Sequence, residues 1–287
     1  MSASGGPGAD VPSGGTLCVV GTPIGNLGDV TERAREVLGS VDVIAAEDTR
    51  RTGRLLRALG IAKPRMVSVH DANERVRTDE LVRRLRRGAT VALVSDGGMP
   101  LVSDPGYRVV RAAVAEGIDV HVVPGPSAAI AALVVAGLPT DRWAFEGFLP
   151  KKSGERRRRL DAVAGDDRTL VFFESPLRLR GSLADVIVVL GDRQVAMCRE
   201  LTKLHEEVIR GRASDVLAAL GDADPKGEVV LVVAGSGGEH VDLEAAVAEA
   251  TKLVEGGTKK REAARSVAAR HGLHANDLYQ ALLDNAS

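Results

Sequence analysis

Five short apolar runs, at 17–20, 41–46, 66–69, 90–94 and 120–123, alternate with stretches patterned as helices, and that alternation constrains the fold most. Runs of four to six residues dominated by Val, Leu and Ala suit strands covered on both faces. The stretches between them, such as 74–87 and 107–116, are long enough to be crossover helices. The runs are therefore predicted to form a mostly parallel sheet between two helical layers. Thr31 followed by Glu32 marks the start of the first helix. With aromatics at 2% and hydrophobic residues at 44%, the cores must be built from small aliphatic side chains.

Near Gly137-Leu138-Pro139-Thr140 the pattern breaks. Longer strands are expected at 143–148, 169–174, 194–200, 206–210 and 228–234, with helices at 156–163, 176–190 and 214–220. The last three strands leave too little chain between some of them for crossover helices, so this half should be a mixed sheet with antiparallel pairs. Beyond Ser236-Gly237-Gly238 the chain turns helical. The stretches 258–271 and 276–283, broken at Gly272, resemble a small helix-turn-helix. The organisation expected is a flexible tail at 1–15, an N-terminal α/β domain at 16–138, a second α/β domain at 139–238 and a helical segment at 239–287.

The Gly/Ser-rich start lacks the basic and apolar regions of a signal peptide. The longest uncharged apolar run, 128–138, is too short to span a bilayer, so no membrane association is expected. Cys18 and Cys198 lie in apolar runs without metal-binding or CxxC spacing and read as buried thiols of a cytoplasmic protein. A net charge of −1 means that any polyanion must be met by local patches.

The stretch from Ser95 to Gly106 places Asp96, Asp104, Gly97, Gly98, Gly106, Pro100 and Pro105 after the 90–94 strand. In an open α/β sheet, ligands bind at the carboxyl ends of strands. Glycines let backbone approach a ligand, and acids supply acceptors. Gly21, Gly25 and Gly28 do not make a dinucleotide fingerprint, because Pro23 takes the middle glycine's place. Neither a Walker pattern, nor metal-ligand spacing, nor a G-x-S-x-G elbow is present. What remains suits a small ligand of mixed charge, such as an adenosyl sulfonium amino acid, whose cation needs carbonyls and carboxylates nearby.

Seven ordered motifs carry a resemblance. They are Gly21-Thr-Pro-Ile-Gly-Asn-Leu-Gly-Asp29, Ala45-Ala-Glu-Asp-Thr-Arg50, the 95–106 loop, Val123-Pro-Gly-Pro-Ser-Ala128, Phe145-Glu-Gly-Phe-Leu-Pro150, Phe173-Glu-Ser-Pro176 and Cys198-Arg-Glu-Leu-Thr-Lys-Leu-His-Glu-Glu207. Together they resemble the tetrapyrrole-methylase superfamily, and within it the bacterial small-subunit rRNA cytidine 2′-O-methyltransferases, over about residues 16–236. The resemblance implies a class III methyltransferase of two α/β domains with a small C-terminal helical appendage, acting as a homodimer. It implies S-adenosyl-L-methionine as methyl donor, held in a cleft between the domains. The implied substrate is the ribose 2′-hydroxyl of a decoding-region cytidine of 16S rRNA in the 30S subunit. Pro23, Gly25, Asp96, Gly97, Met99, Leu101, Ser127 and Ala128 would line the donor site. Departures are Gly97 in place of alanine, Met99 in place of threonine, a missing second histidine in the 68–74 loop, and Leu177 in place of histidine.

For activating the hydroxyl, the candidates are His70, Glu47 and Asp48, with Arg50 orienting ribose or phosphate. His70 could equally be a surface side chain bonded to Asp71, and the acids could form a local ion-pair network. Asp104, just before Pro105, reads either as a donor contact or as a cap of the next helix. Arg199, Glu200, Lys203 and Glu206 resemble a cleft-facing strip or a set of structural ion pairs. The run Lys151, Lys152, Arg156, Arg157, Arg158 and Arg159 sets six cations against Glu155 and is the leading phosphate-contact candidate. Lys259, Lys260, Arg261, Arg265 and Arg270 form a second, weaker patch. A tetrapyrrole C-methyltransferase, a diphthine synthase and a non-enzymatic RNA-binding protein remain as other readings.

Overall fold

The alternation of apolar runs and helical stretches becomes, in the computed structural model, β1 (Thr16–Val20), α1 (Glu32–Ser40), β2 (Val43–Ala46), α2 (Thr49–Ala58), β3 (Arg65–Ser68), α3 (Glu74–Arg86), β4 (Thr90–Val94), α4 (Tyr107–Ala115), β5 (Asp119–Val123) and α5 (Ala128–Ala136). The structure describes residues 15–221, 226–237, 243–271 and 275–284, so all but the last residue of the expected 1–15 tail lies outside them. The strands order β3-β2-β4-β1-β5, and every neighbouring pair is parallel. Thr31 caps α1 as expected, its Oγ1 accepting the Ala34 N–H at 3.1 Å.

Strand periodicity divides the core between the two faces. Leu17, Val19, Val91 and Leu93 pack with Leu81 and Leu85 of α3 and Val109 and Ala113 of α4. Cys18, Val20, Ala92 and Val94 pack with Ala34, Val37 and Leu38 of α1 and Leu56 of α2. Both cysteines are free thiols and buried. The connections after β1 and β4, neighbours in the sheet, lead to opposite sides. That makes their shared carboxyl edge a topological switch point, where the diverging loops leave room for a ligand.

The later elements are β6 (Trp143–Phe148), α6 (Ser153–Asp161), β7 (Thr169–Glu174), α7 (Leu179–Leu190), β8 (Gln194–Arg199), β9 (Glu207–Arg212), α8 (Ala213–Ala219) and β10 (Val229–Val233). Their sheet orders β6-β7-β10-β8-β9, with β6 parallel and β10 antiparallel to β7, so it is mixed. Leu170, Phe172, Leu183, Val186, Met197 and Leu231 are central to its core. The C-terminal helices are α9 (Leu243–Glu255), α10 (Lys260–His271) and α11 (Ala275–Asp284), joined by a small core including Ala246, Ala250, Ala264, Val267 and Leu278. The chain divides into two compact units: residues up to Val135 with Cys198–Glu207, and Ala136–Met197 with residues from Val208 on. No helix among the described residues is long and apolar enough to cross a membrane.

Candidate functional site

Three loops leave the carboxyl edge of the first sheet and lock together through their backbones. Thr22 and Gly98 exchange two hydrogen bonds, at 2.9 and 3.0 Å, and the Gly21 N–H donates to Val123 O at 2.9 Å. Gly21 and Gly125 touch backbone to backbone: a Cβ on Gly21 would lie 2.7 Å from the Gly125 Cα and from Met99 Sδ. A Cβ at Gly97 would just touch the Pro23 carbonyl, 3.4 Å away, whereas one at Gly25 would clash with Lys203 at 2.4 Å. The Asn26 N–H donates to Thr202 Oγ1 at 3.2 Å, tying the first loop to the 198–207 segment. Pro23, Gly97, Gly98, Met99 and the start of α5 at Ser127 and Ala128 are thus brought to one edge.

The 95–106 loop is strained. Leu101 and Ser103 hold φ of 72° and 65°, left-handed values that cost non-glycine residues on the order of 1–3 kcal/mol each. Such strain persists only where the surroundings over-determine it, and here the Thr22–Gly98 bridge pins one end.

Acids gather beside this loop. The Asp96 N–H donates to Glu47 Oε2 at 3.2 Å, and the Asp48 N–H donates to Asp96 Oδ1 at 3.1 Å. Asp96 Oδ2 lies 3.3 Å from Arg51. Burial raises the Glu47 carboxyl above its ordinary range, opposed by the Asp96 N–H and helped by the charges of Asp96 and Asp71. Asp48 instead caps α2 and is held low by hydrogen bonds from Arg50. Among the described residues, no group of three or more His, Cys, Asp or Glu is placed to hold a metal ion.

Asp104 does not cap the next helix. The α4 N-terminus is served by Glu74, whose Oε1 accepts the Gly106 and Arg108 N–H groups at 2.9 Å each. Burial, together with the charges of Glu47, Asp96 and Asp71, pushes the Asp104 carboxyl up to about 6. The Ser95 hydroxyl is the main influence against this rise, and burial outweighs it. A carboxyl raised in the folded state binds protons there that the unfolded chain releases, so its contribution is most favourable below the unfolded value. That contribution is lost as pH rises through about 6. Asp104→Asn therefore stabilises the protein at pH 8 by on the order of 1–2 kcal/mol, allowing for partial exposure. Denaturant unfolding across pH should find the gain gone near pH 4.

His70 is exposed and does not bond Asp71 through its ring; its Nε2 lies 3.0 Å from Asn73 Nδ2 and its N–H donates to Asn73 Oδ1. Arg50 pairs with Asp48 at 3.2 Å and is otherwise solvated. Arg199 pairs with Glu207 at 2.9 Å, Lys203 with Glu200 at 2.7 Å, and Glu206 accepts the Thr202 N–H. The 198–207 strip is thus laced by its own ion pairs, whatever else it meets.

A family model described as Tetrapyrrole (Corrin/Porphyrin) Methylases matches residues 16–217. The chain belongs to the tetrapyrrole methylases. It is therefore a methyltransferase. It is 46% identical over 275 residues to a protein of Escherichia coli O157:H7 named Ribosomal RNA small subunit methyltransferase I, covering 95% of this chain and 96% of that one. A Mycobacterium tuberculosis protein of the same name is 44% identical over 276 residues, with 95% and 96% covered. A Thermotoga maritima namesake is 47% identical over 221 residues, 77% of this chain and 99% of its own. Among solved structures, the chain resembles a Thermus thermophilus uroporphyrin-III-C-methyltransferase at 27% identity and TM-score 0.55, covering 77% of this chain and 95% of that one. A diphthine synthase, at 17% identity and TM-score 0.60, covers 77% of this chain and 90% of its own and shares the fold.

In this tetrapyrrole methylase the basic run divides. Arg156 is not a phosphate contact. Its side chain is 7% exposed, and its Nη2 lies 2.6 Å from Asp185, itself 3% exposed. It faces inward because Leu160, one helical turn on, shares its face and is fully buried. Arg157 shares Asp185 at 2.6 Å and stays half exposed, while Arg159 pairs with Glu146. Lys152 lies 3.7 Å from Glu155. Among the described residues, Lys151 and Arg158 are exposed and make no ion pair.

Proposed function

We infer that this methyltransferase carries a methyl group from S-adenosyl-L-methionine to the ribose 2′-hydroxyl of a decoding-region cytidine in 16S rRNA. The observation that carries this is identity of 44–46% over 95% of the chain to proteins named Ribosomal RNA small subunit methyltransferase I. The likeness to the porphyrin enzyme is weaker, at 27% identity over 77% of the chain.

The edge loops fit such a donor. Its ammonium and sulfonium call for carboxylate and carbonyl oxygens; the edge offers the Asp96 carboxylate and, near the adjoining Gly97, the Pro23 carbonyl. Pro23, Gly25, Gly97, Met99, Leu101, Ser127 and Ala128 complete the donor contacts. When bound, the donor supplies a methyl group on a sulfonium that leaves as a neutral thioether. The protein's part is to hold the ribose oxygen in line at about 3–3.5 Å and to take its proton. Glu47 suits that second task better than Asp48. Burial favours its protonated form, whereas Asp48 is committed to Arg50 and the α2 cap. His70 and Arg50, both exposed, are left to contact the RNA, together with Arg199 and Lys203.

Lys151, Lys152, Arg157, Arg158 and Arg159 would meet phosphates, with Lys151 and Arg158 the freest of them. A second copy of the chain is the proposed partner. α5 is apolar all round and leaves Ile130 45% and Val134 71% exposed, and Val122 of the edge strand β5 is 57% exposed. Acting on a ribosomal subunit places the protein in the cytoplasm.

The test is transfer of labelled methyl to 30S subunits lacking the modification, with label recovered in a nuclease-resistant dinucleotide. Lys151→Glu with Arg158→Glu should weaken subunit binding by about tenfold or more at physiological salt and leave donor affinity unchanged. Label in a porphyrin precursor and none in RNA would overturn the reading.

A further inference from the structure

Glu74 ends the 68–74 loop and lies outside the seven motifs that carry the resemblance, yet its carboxylate reaches the end of the strained loop. It opens α3, is 8% exposed, and accepts two N–H bonds from Gly106 and Arg108, 32 and 34 residues away. The α4 N-terminus has no side-chain cap of its own at Gly106. Without Glu74 those two amides would lose their acceptor in a largely buried setting. The carboxylate charge is itself met there by the positive ends of two helices, α3 and α4, and by Arg108 Nε at 3.7 Å.

Nothing at Gly106 can substitute for this clamp. Its φ is 125°, and a Cβ would lie 2.8 Å from Leu93 Cδ2. The loop is therefore a span held at two ends: by Thr22 at Gly98 and by Glu74 at Gly106. Between them lie the left-handed Leu101 and Ser103, whose strain these two anchors help to hold.

We propose that Glu74 is the positioning residue of the donor loop, fixing residues 98–106 in the shape that binds the methyl donor. This rests on the reading of that loop as donor site. Glu74→Ala should weaken S-adenosylmethionine binding about tenfold, as expected for losing hydrogen bonds to a charged acceptor. It should also speed hydrogen exchange at the Gly106 and Arg108 amides while leaving KM for 30S subunits within about twofold. Glu74→Gln keeps an accepting oxygen and should recover donor affinity to within about threefold. Leu85→Ala, in the core of the same helix, should lower the melting temperature at least as much but leave donor affinity within about twofold.

Wild-type donor affinity in Glu74→Ala, or equal weakening in Leu85→Ala, overturns the proposal. If Asp96→Ala still weakens donor binding about tenfold or more in that case, only the role of Glu74 fails. If exchange in the loop quickens while neither Glu74→Ala nor Asp96→Ala changes donor affinity, the donor-site reading fails with it.

Discussion

Asp185→Ala will destabilise the second unit by about 3–5 kcal/mol. The Asp185 carboxylate is almost fully buried and accepts from Ser153, Arg156 and Arg157. Burial alone would raise it, but the hydrogen bonds from Arg157, Ser153 and Arg156 outweigh that and keep it below the ordinary aspartate value. Removing it leaves the Arg156 guanidinium buried with only the Pro150 and Lys151 carbonyls at 3.3 Å. An unpaired buried charge accounts for most of the cost. Replacing both partners, as Asp185→Leu with Arg156→Met, should therefore recover most of the stability, since an apolar pair needs no compensation. Thermal unfolding of the single and double variants checks this. A double variant no better than Asp185→Ala would show that the pair is not what holds α6 to α7.

Gly21→Ala is the second large effect, and it bears on the site. The added methyl would sit 2.7 Å from the Gly125 backbone, which cannot swing aside as a side chain can. The ends of β1 and β5 must part, breaking the Gly21 N–H bond to Val123. Overpacking of this kind costs about 1–3 kcal/mol, so the melting temperature should fall by several degrees. Methyl transfer should fall by more than about tenfold, because the loops proposed to align the donor no longer meet. Gly39→Ala is the control, since its Cβ would find only Ile61 at 3.9 Å and Gly39 lies within α1. A Gly21→Ala protein with normal stability and activity would mean that the contact of the two loops is incidental.

Much of the fold is readable in the chain. The β1, β4 and β5 runs, the Thr31 cap and the mixed second sheet follow from periodicity, capping chemistry and connection length, all local signals. The edge loops are legible because Gly, Pro and Asp clustered at strand ends have few other uses. Contacts across long stretches of sequence are not. Glu74 and Gly106 are 32 residues apart, so Asp104, adjacent to Pro105, is the natural candidate for the cap, and only the fold supplies the other acid. Lys203 reaches Gly25 from far along the chain, beyond any local pattern. Arg156 is the instructive case. Four consecutive arginines look alike, yet the turn-apart spacing to Leu160 already marks Arg156 as the one facing the core.

We propose that the carboxyl edge of the first sheet binds the sulfonium donor through Asp96. Calorimetric titration of S-adenosylmethionine into the wild-type protein and into Asp96→Ala addresses it without involving RNA. Saturable binding by the wild type, weakened about tenfold or more in the variant at unchanged fold, is the expected result. Equal affinity in the two proteins, or no binding by the wild type, would contradict it.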